Sequence, residues 1–192
     1  MDGNGRWAQA RGLPRIEGHR VGHQSVREIV RAASDLGIEV LTLYTFSSEN
    51  WQRPRDEVDA LMLMIEMVAR QEIDELNQNQ VRVIISGDIE GLPPSLQQEL
   101  RRDMALTASN TGLVLNLAIN YGGRAELVQA VQRLAQRVRQ GLLDPQAIDD
   151  SALERELYTA GLPDPDLIIR TAGEQRLSNF LLWQSAYTEL YV

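Results

Sequence analysis

Ile38-Glu39-Val40-Leu41-Thr42-Leu43-Tyr44-Thr45-Phe46-Ser47-Ser48-Glu49-Asn50 decides the fold class of this chain. Residues 38–46 are rich in β-branched, aromatic and aliphatic side chains and nearly free of charge, which predicts a strand covered on both faces in a parallel sheet. The run then opens abruptly into the polar segment 47–50. Ligands of open α/β sheets gather beyond the carboxyl ends of the strands, so this segment becomes a candidate site.

Outward from the strand, the pattern repeats. A helix predicted over 24–36 stops at Gly37, a natural left-handed C-terminal residue. After Pro54 a long helix is expected over 55–77, and between residues 58 and 69 only Asp59 and Glu66 interrupt its apolar side chains. That stripe is too broad for an ordinary surface helix. It suits a helix buried in the core or at a subunit interface, or one lining an apolar cavity with the adaptable Met62, Met64 and Met67. Strands over 81–86, 113–119, 167–170 and 189–192 and helices over 94–109, 124–139 and 153–160 complete an α/β alternation. The expected architecture is a largely parallel central sheet flanked by helices, in a single domain spanning 1–192.

Composition narrows the chemistry. The chain has 192 residues, 43% of them hydrophobic, and a net charge of −8. It has the makings of one real core and lacks the basic balance of a general nucleic-acid binder, so no nucleic-acid partner is expected. There is no Cys, and all 19 basic residues are Arg. Schiff-base catalysis, a Lys-bearing phosphate loop, thiol nucleophiles and thiolate metal sites are thereby excluded. Phosphate recognition would fall to Arg forks, His, backbone amides and metal. No apolar run long enough to span a membrane and no signal peptide are seen, so a cytoplasmic location is expected.

Three polar clusters follow apolar runs or sit in turns. The first is Asp2-Gly3-Asn4-Gly5-Arg6-Trp7 with Arg15, Gly18 and His19; within residues 1–24, four Arg face only Asp2 and Glu17. The second is Ser47-Ser48-Glu49-Asn50-Trp51 with Arg53. The third is Arg170-Thr171-Ala172-Gly173-Glu174-Gln175-Arg176-Leu177-Ser178, with Arg170 at the end of a predicted strand. Gly3 and Gly5 would let the backbone wrap an anion, though Asp-Gly-Asn-Gly is also an ordinary turn. Arg170 and Arg176 could equally be surface partners of Glu174. Trp7 and Trp51 could pack on a substrate chain or on the core. His19 and His23 have the spacing of a zinc pair but lack a third ligand, so His19 is read as a phosphate partner and His23 as an ordinary helix residue.

These runs, with Asn120-Tyr121-Gly122-Gly123-Arg124 and Ser178-Asn179-Phe180-Leu181-Leu182-Trp183-Gln184, resemble the cis-prenyltransferases. Five motifs in the family's order span nearly the whole chain. The resemblance implies a cis-prenyltransferase fold with an apolar tunnel. It also implies repeated condensation of isopentenyl diphosphate onto an allylic diphosphate, by default farnesyl diphosphate, giving a long-chain product. Asp2 would hold Mg²⁺ and assist departure of the allylic diphosphate, which Gly3, Asn4, Gly5, Arg6, Arg15 and His19 would bind. Ser47, Ser48, Glu49, Trp51 and Arg53 would place substrate, with Trp7 beside them and Asn50 the acceptor or relay for the lost proton. Arg170, Arg176, Leu177 and Ser178 would hold isopentenyl diphosphate. Glu189 would reach the metal site of a partner subunit, implying a homodimer. The product would be a membrane lipid, with the enzyme loosely associated with the inner membrane face.

By the same resemblance, the family's first strand and its C-terminal tail would be missing, and the chain alone is expected to be poorly stable. Leu113 is expected near the tunnel floor, where truncation to Ala would lengthen products; Gln175 and Ala172 depart mildly from relatives. Two other readings remain open: a non-catalytic cis-prenyltransferase-like subunit, and a phosphatase using Asp2 as nucleophile.

Overall fold

The computed structural model describes residues 2–192; Met1, where the expected domain begins, lies outside the described residues. Strands β1 (Val40–Ser47), β2 (Arg82–Ser86) and β3 (Val114–Tyr121) form an all-parallel sheet in the order β1-β3-β2. Val114 stands level with Val40 on one side and Arg82 on the other. A second parallel pair, β4 (Leu167–Ile169) with β5 (Glu189–Tyr191), is separate, so the sheet expected as one comes in two pieces.

The helices are α1 (Asn4–Gln9), α2 (Arg15–Asp35), α3 (Arg55–Gln78), α4 (Pro94–Leu106), α5 (Gly123–Arg139) and α6 (Asp150–Glu154). One sheet face carries Leu113, Leu115, Leu117 and Ile119 into two apolar clusters, with Val30 and Ala33 of α2, Val58, Leu61 and Met62 of α3, and Leu96 and Leu100 of α4. On the opposite face Ala118 packs with Tyr121 and Leu181.

Helix α2 starts nine residues before the expected Gln24, at Arg15. Gly18 and Gly22 are points of close approach. A Cβ on Gly18 would lie 1.9 Å from the Asn4 carbonyl oxygen, and one on Gly22 2.8 Å from the Asn4 amide. Their missing side chains let α1 press against α2, a tertiary reason that local propensity cannot supply. At the other end, the helix expected over 153–160 is the shorter α6, capped where Asp149 accepts the Ala152 N–H (2.8 Å), followed by turns.

Strand β1 is half-buried except for Phe46, whereas β3 is covered. Among the described residues β1 pairs along one edge only, and every residue over 37–47 and 162–171 lines a single cavity of about 1810 Å³. Consecutive rather than alternate residues line it because the free edges of β1 and β4 both border it. On its α3 side an apolar stretch is made by Leu61, Met64, Ile65, Val68 and Ile73, while Arg27, Arg31 and Asp35 of α2 and Glu72 and Glu75 of α3 line it as well. Of the three methionines expected there, only Met64 lines it: Met62 is buried in the core and Met67 is exposed. No helix among the described residues is long and apolar enough to cross a membrane.

Candidate active site

The carboxyl ends of β1 and β3 meet the N-terminal turn and the segment after β4 at the mouth of this cavity. Asp2, Asn4, His19, Ser47, Glu49, Asn50, Arg53, Arg170, Arg176, Leu177 and Ser178 all line it, drawing the three sequence clusters together. Asp2 is the hub of the first and third. Its Oδ2 accepts a hydrogen bond from Arg170 Nη2 (2.9 Å) and its Oδ1 accepts the Gly3 N–H (2.7 Å), with Arg6 Nη2 at 3.5 Å. Burial alone would raise the Asp2 pKa; the Arg170 and Gly3 hydrogen bonds and the Arg170 and Arg6 charges outweigh it, so the carboxyl lies below its ordinary value. It is therefore an anion at neutral pH.

Around it the guanidinium groups are held in place by carboxylates. Arg6 Nη1 donates to Glu174 (2.9 Å), and Arg176 pairs with the other Glu174 oxygen. Arg53 Nη1 donates to Glu57 (2.9 Å), where Arg15 Nε also approaches at 3.4 Å. Gly5 has a reason to be glycine: a Cβ there would meet the Arg15 guanidinium carbon at 2.8 Å. Glu57, not singled out from sequence, and Glu174, read there as a possible surface partner of Arg170 and Arg176, thus orient the Arg forks a phosphate would use.

His19 faces the cavity with its Nε2 buried and without a partner among the described residues. Burial first, then the charges of Arg53 and Arg15, partly offset by Glu57, push its pKa below the usual histidine value. A neutral imidazole between two guanidiniums can donate one hydrogen bond to an anion. Arg170 likewise buries an unpartnered Nε, while its Nη1 donates to the Arg176 carbonyl (2.6 Å). His23, by contrast, sits 3.5 Å from Glu72 in a helix–helix pair.

The 3₁₀ turn Ser48–Gln52 is fixed by a capping box in which Asn50 Oδ1 accepts the Ser47 N–H (3.1 Å). Trp51 Nε1 donates to Asn120 Oδ1 (2.7 Å) and its ring meets Phe46 edge-on; neither Trp51 nor Trp7, which stacks under Arg11 at 4.2 Å, lines the cavity. Gly3, Gly5, Arg6, Arg15 and Ser48 also stand behind the lining, and Glu189 opens β5, exposed and outside it.

Asn179 is the residue that sequence reading passed over. Its Nδ2 donates to Glu49 (2.6 Å), its Oδ1 accepts the Arg124 N–H (2.8 Å), and its carbonyl accepts the Gly123 N–H (2.8 Å). It caps α5 from outside and ties that helix to the turn after β1 and to Ser178. Its φ of +63°, beside +50° at Ser178, is a conformation Asn tolerates better than most residues. Burial would raise the Glu49 pKa, but the hydrogen bonds from Asn179, its own backbone, Ser47 and Ser48 bring it below the usual value.

A family model described as "Putative undecaprenyl diphosphate synthase" matches residues 1–192. The chain belongs to this family of cis-prenyltransferases. It is 52% identical over 192 residues to the isoprenyl transferase of Heliobacterium mobile, covering all of this chain and 74% of that one. The isoprenyl transferase of Brucella abortus is 55% identical over 189 residues, covering 98% of this chain and 74% of its own. Among solved structures, lavandulyl diphosphate synthase from Lavandula x intermedia, in complex with dimethylallyl diphosphate, superposes with a TM-score of 0.97 at 40% identity, over all of this chain and 83% of that one. The expected fold and the expected enzyme class, an isoprenyl-transferring cis-prenyltransferase, are both borne out. The three sequence clusters and the apolar side chains of α3 line one continuous space.

Proposed function

We propose that this chain extends an allylic diphosphate, with farnesyl diphosphate as primer, by repeated condensation with isopentenyl diphosphate to a long-chain cis-polyprenyl diphosphate. The observation that carries this reading is the pairing of His19 Nε2 and Arg170 Nε, buried and unpartnered at the mouth, with the apolar α3 wall behind them.

The allylic diphosphate lies against Asn4, His19 and Arg53, with Arg15 behind them and Gly3, Gly5 and Arg6 shaping the turn beneath. Arg170, Arg176 and Ser178 take the second diphosphate. As the allylic C–O bond breaks, the Arg forks and the His19 N–H stabilise the charge gathering on the leaving diphosphate. The isopentenyl double bond attacks the allylic carbon, a C–C bond forms, and loss of a proton leaves the new cis double bond. Asn50 relays that proton; its Oδ1 already accepts the Ser47 N–H, so its role is that of an orienting group more than a base.

Mg²⁺ fits this donor set. A small hard cation binds through one or two carboxylates plus substrate phosphates, and the Asp2 carboxylate, a third exposed, meets that need where no cluster of three acidic or His ligands exists among the described residues. When bound it supplies charge neutralisation at the leaving diphosphate. Glu189 would complete the metal site of a second copy in a homodimer. Work at the inner membrane face belongs to the same reading, since the product is a lipid.

Incubation with farnesyl diphosphate, labelled isopentenyl diphosphate and Mg²⁺, with and without chelator, tests the proposal. Lipid-extractable label that disappears with chelator is expected. Its absence from a folded chain in every condition would favour the non-catalytic subunit.

A further inference from the structure

Among the charged residues that line the cavity, one on α4 is buried and has an oxygen without a partner among the described residues. The cavity follows the full height of β1, eight residues from Ser47 to Val40, about 23 Å at ~3.3 Å per residue. Its mouth is at the carboxyl ends of the strands, and its lining reaches Val81 and Val83 at the amino end of β2. There α4 contributes Asp103. This side chain is 3% exposed, lines the cavity, and has an Oδ1 that is buried without a hydrogen-bond partner among the described residues. Its position is fixed from behind: the backbone carbonyl of Asp103 accepts from Thr107 Oγ1 (2.8 Å), which itself accepts the Val83 N–H (3.0 Å). One turn earlier on the same helix, Leu100 packs with Phe46 and Ile119 nearer the mouth. Leu113, the residue expected to set the floor, is buried with Val81 and Leu115 but does not itself line the cavity.

We propose that Asp103 is a product-length determinant, a carboxyl group at the deep end of the hydrocarbon cavity that halts the growing chain when ionised and lets it advance when protonated. The inference rests on the chain-elongation reading above. Hydrocarbon packed against a carboxylate offers it no hydrogen-bond partner and keeps water from reaching it, whereas a protonated carboxyl is far less costly to bury. The charged groups that act on Asp103 are Glu99 and Arg102 on its own helix; Glu99 is in turn held by Arg70 of α3, and at the start of β2 the cavity is lined by Val81 and Val83. Burial and the Glu99 charge, against Arg102, push the Asp103 carboxyl up to about 6, so its charge changes within the range in which the enzyme can be assayed.

The test is product length at about pH 5.5 and pH 8 for the wild type, Asp103→Asn and Asp103→Ser. Alongside it runs competition binding of farnesyl diphosphate and of a long polyprenyl diphosphate to the same proteins. The wild type is expected to give a modal product at least one five-carbon unit longer at the lower pH. Both variants should give the longer product at both pH values. The long diphosphate should bind the variants more tightly than the wild type at pH 8, with farnesyl diphosphate bound alike. Length distributions that coincide in wild type and variants at each pH, with both diphosphates bound, would overturn the role of Asp103 alone. Failure of either diphosphate to bind any of the proteins would overturn the elongation reading and this inference with it.

Discussion

Asp2 is where charge, geometry and chemistry converge, and its replacement separates catalysis from folding. Asp2→Ala is expected to lower turnover by roughly 10²–10³-fold, the usual cost of removing one preorganised electrostatic group, with an unchanged circular dichroism spectrum. Because the folded pKa of Asp2 is depressed, its ion pair with Arg170 is at full strength above about pH 3.9 and is lost as pH falls through the lower folded value. Asn179→Ala removes the outside cap of α5 and the bond to Glu49 together. A cost of about 1 kcal/mol, a fall in Tm of roughly 2–4 °C, is expected, with KM for isopentenyl diphosphate raised more than kcat is lowered. Equal effects on kcat and KM would assign Asn179 a purely structural role. At this scale the sequence was informative for residues whose chemistry is rare: an acid in a Gly turn, and Arg at a strand end. Asn179 and Glu57 were illegible because an amide or a carboxylate acquires its purpose from partners far along the chain, such as Glu49 and Arg124 for Asn179 and Arg15 for Glu57.

Elements were legible where one periodicity dominated. The strand over 38–46 is β1, and the apolar run after Pro54 is α3, within two residues at either end. Where the reading failed, a tertiary contact overrode local preference. The first turns of α2 lie outside the helix expected over 24–36, and Gly18 and Gly22 stand in them where α1 approaches. Gly18→Ala is therefore expected to disrupt the site despite a gain of about 1 kcal/mol in intrinsic helix propensity. The added Cβ displaces Asn4 and the turn carrying Asp2, so affinity for the allylic diphosphate, measured by titration, should fall. A variant that binds as the wild type does would show that α1 can move without consequence. The α3 methionines teach the converse: a stripe too broad for a surface helix supplied core, cavity wall and exposed face together, and composition could not divide Met62, Met64 and Met67 among them.

For the whole molecule, the same space that suits a long hydrocarbon also limits stability. Among the described residues the cavity is bordered by the unpaired edges of β1 and β4, and the apolar side chains that line it are left for a ligand to cover. A Tm at or below the mesophile range of about 45–65 °C is expected without ligand, rising with an allylic diphosphate and Mg²⁺ because ligand bound only by the folded chain stabilises it. Differential scanning fluorimetry measures both; a high Tm that ligand leaves unchanged would contradict the account. Parallel topology was readable from the alternation of elements, whereas the division into a three-stranded and a two-stranded sheet was not, since strand sequences do not specify which edges meet.

Chain elongation, as proposed, requires the mouth around Asp2 and the cavity behind it to act together. Its most direct test is the length of the product formed from farnesyl diphosphate and labelled isopentenyl diphosphate by the wild type and by Asp2→Ala. The account predicts a ladder ending in long-chain polyprenyl diphosphate for the wild type and almost no label in lipid for the variant. A folded wild type that stops after one condensation, or a variant that elongates as well as the wild type, would contradict it.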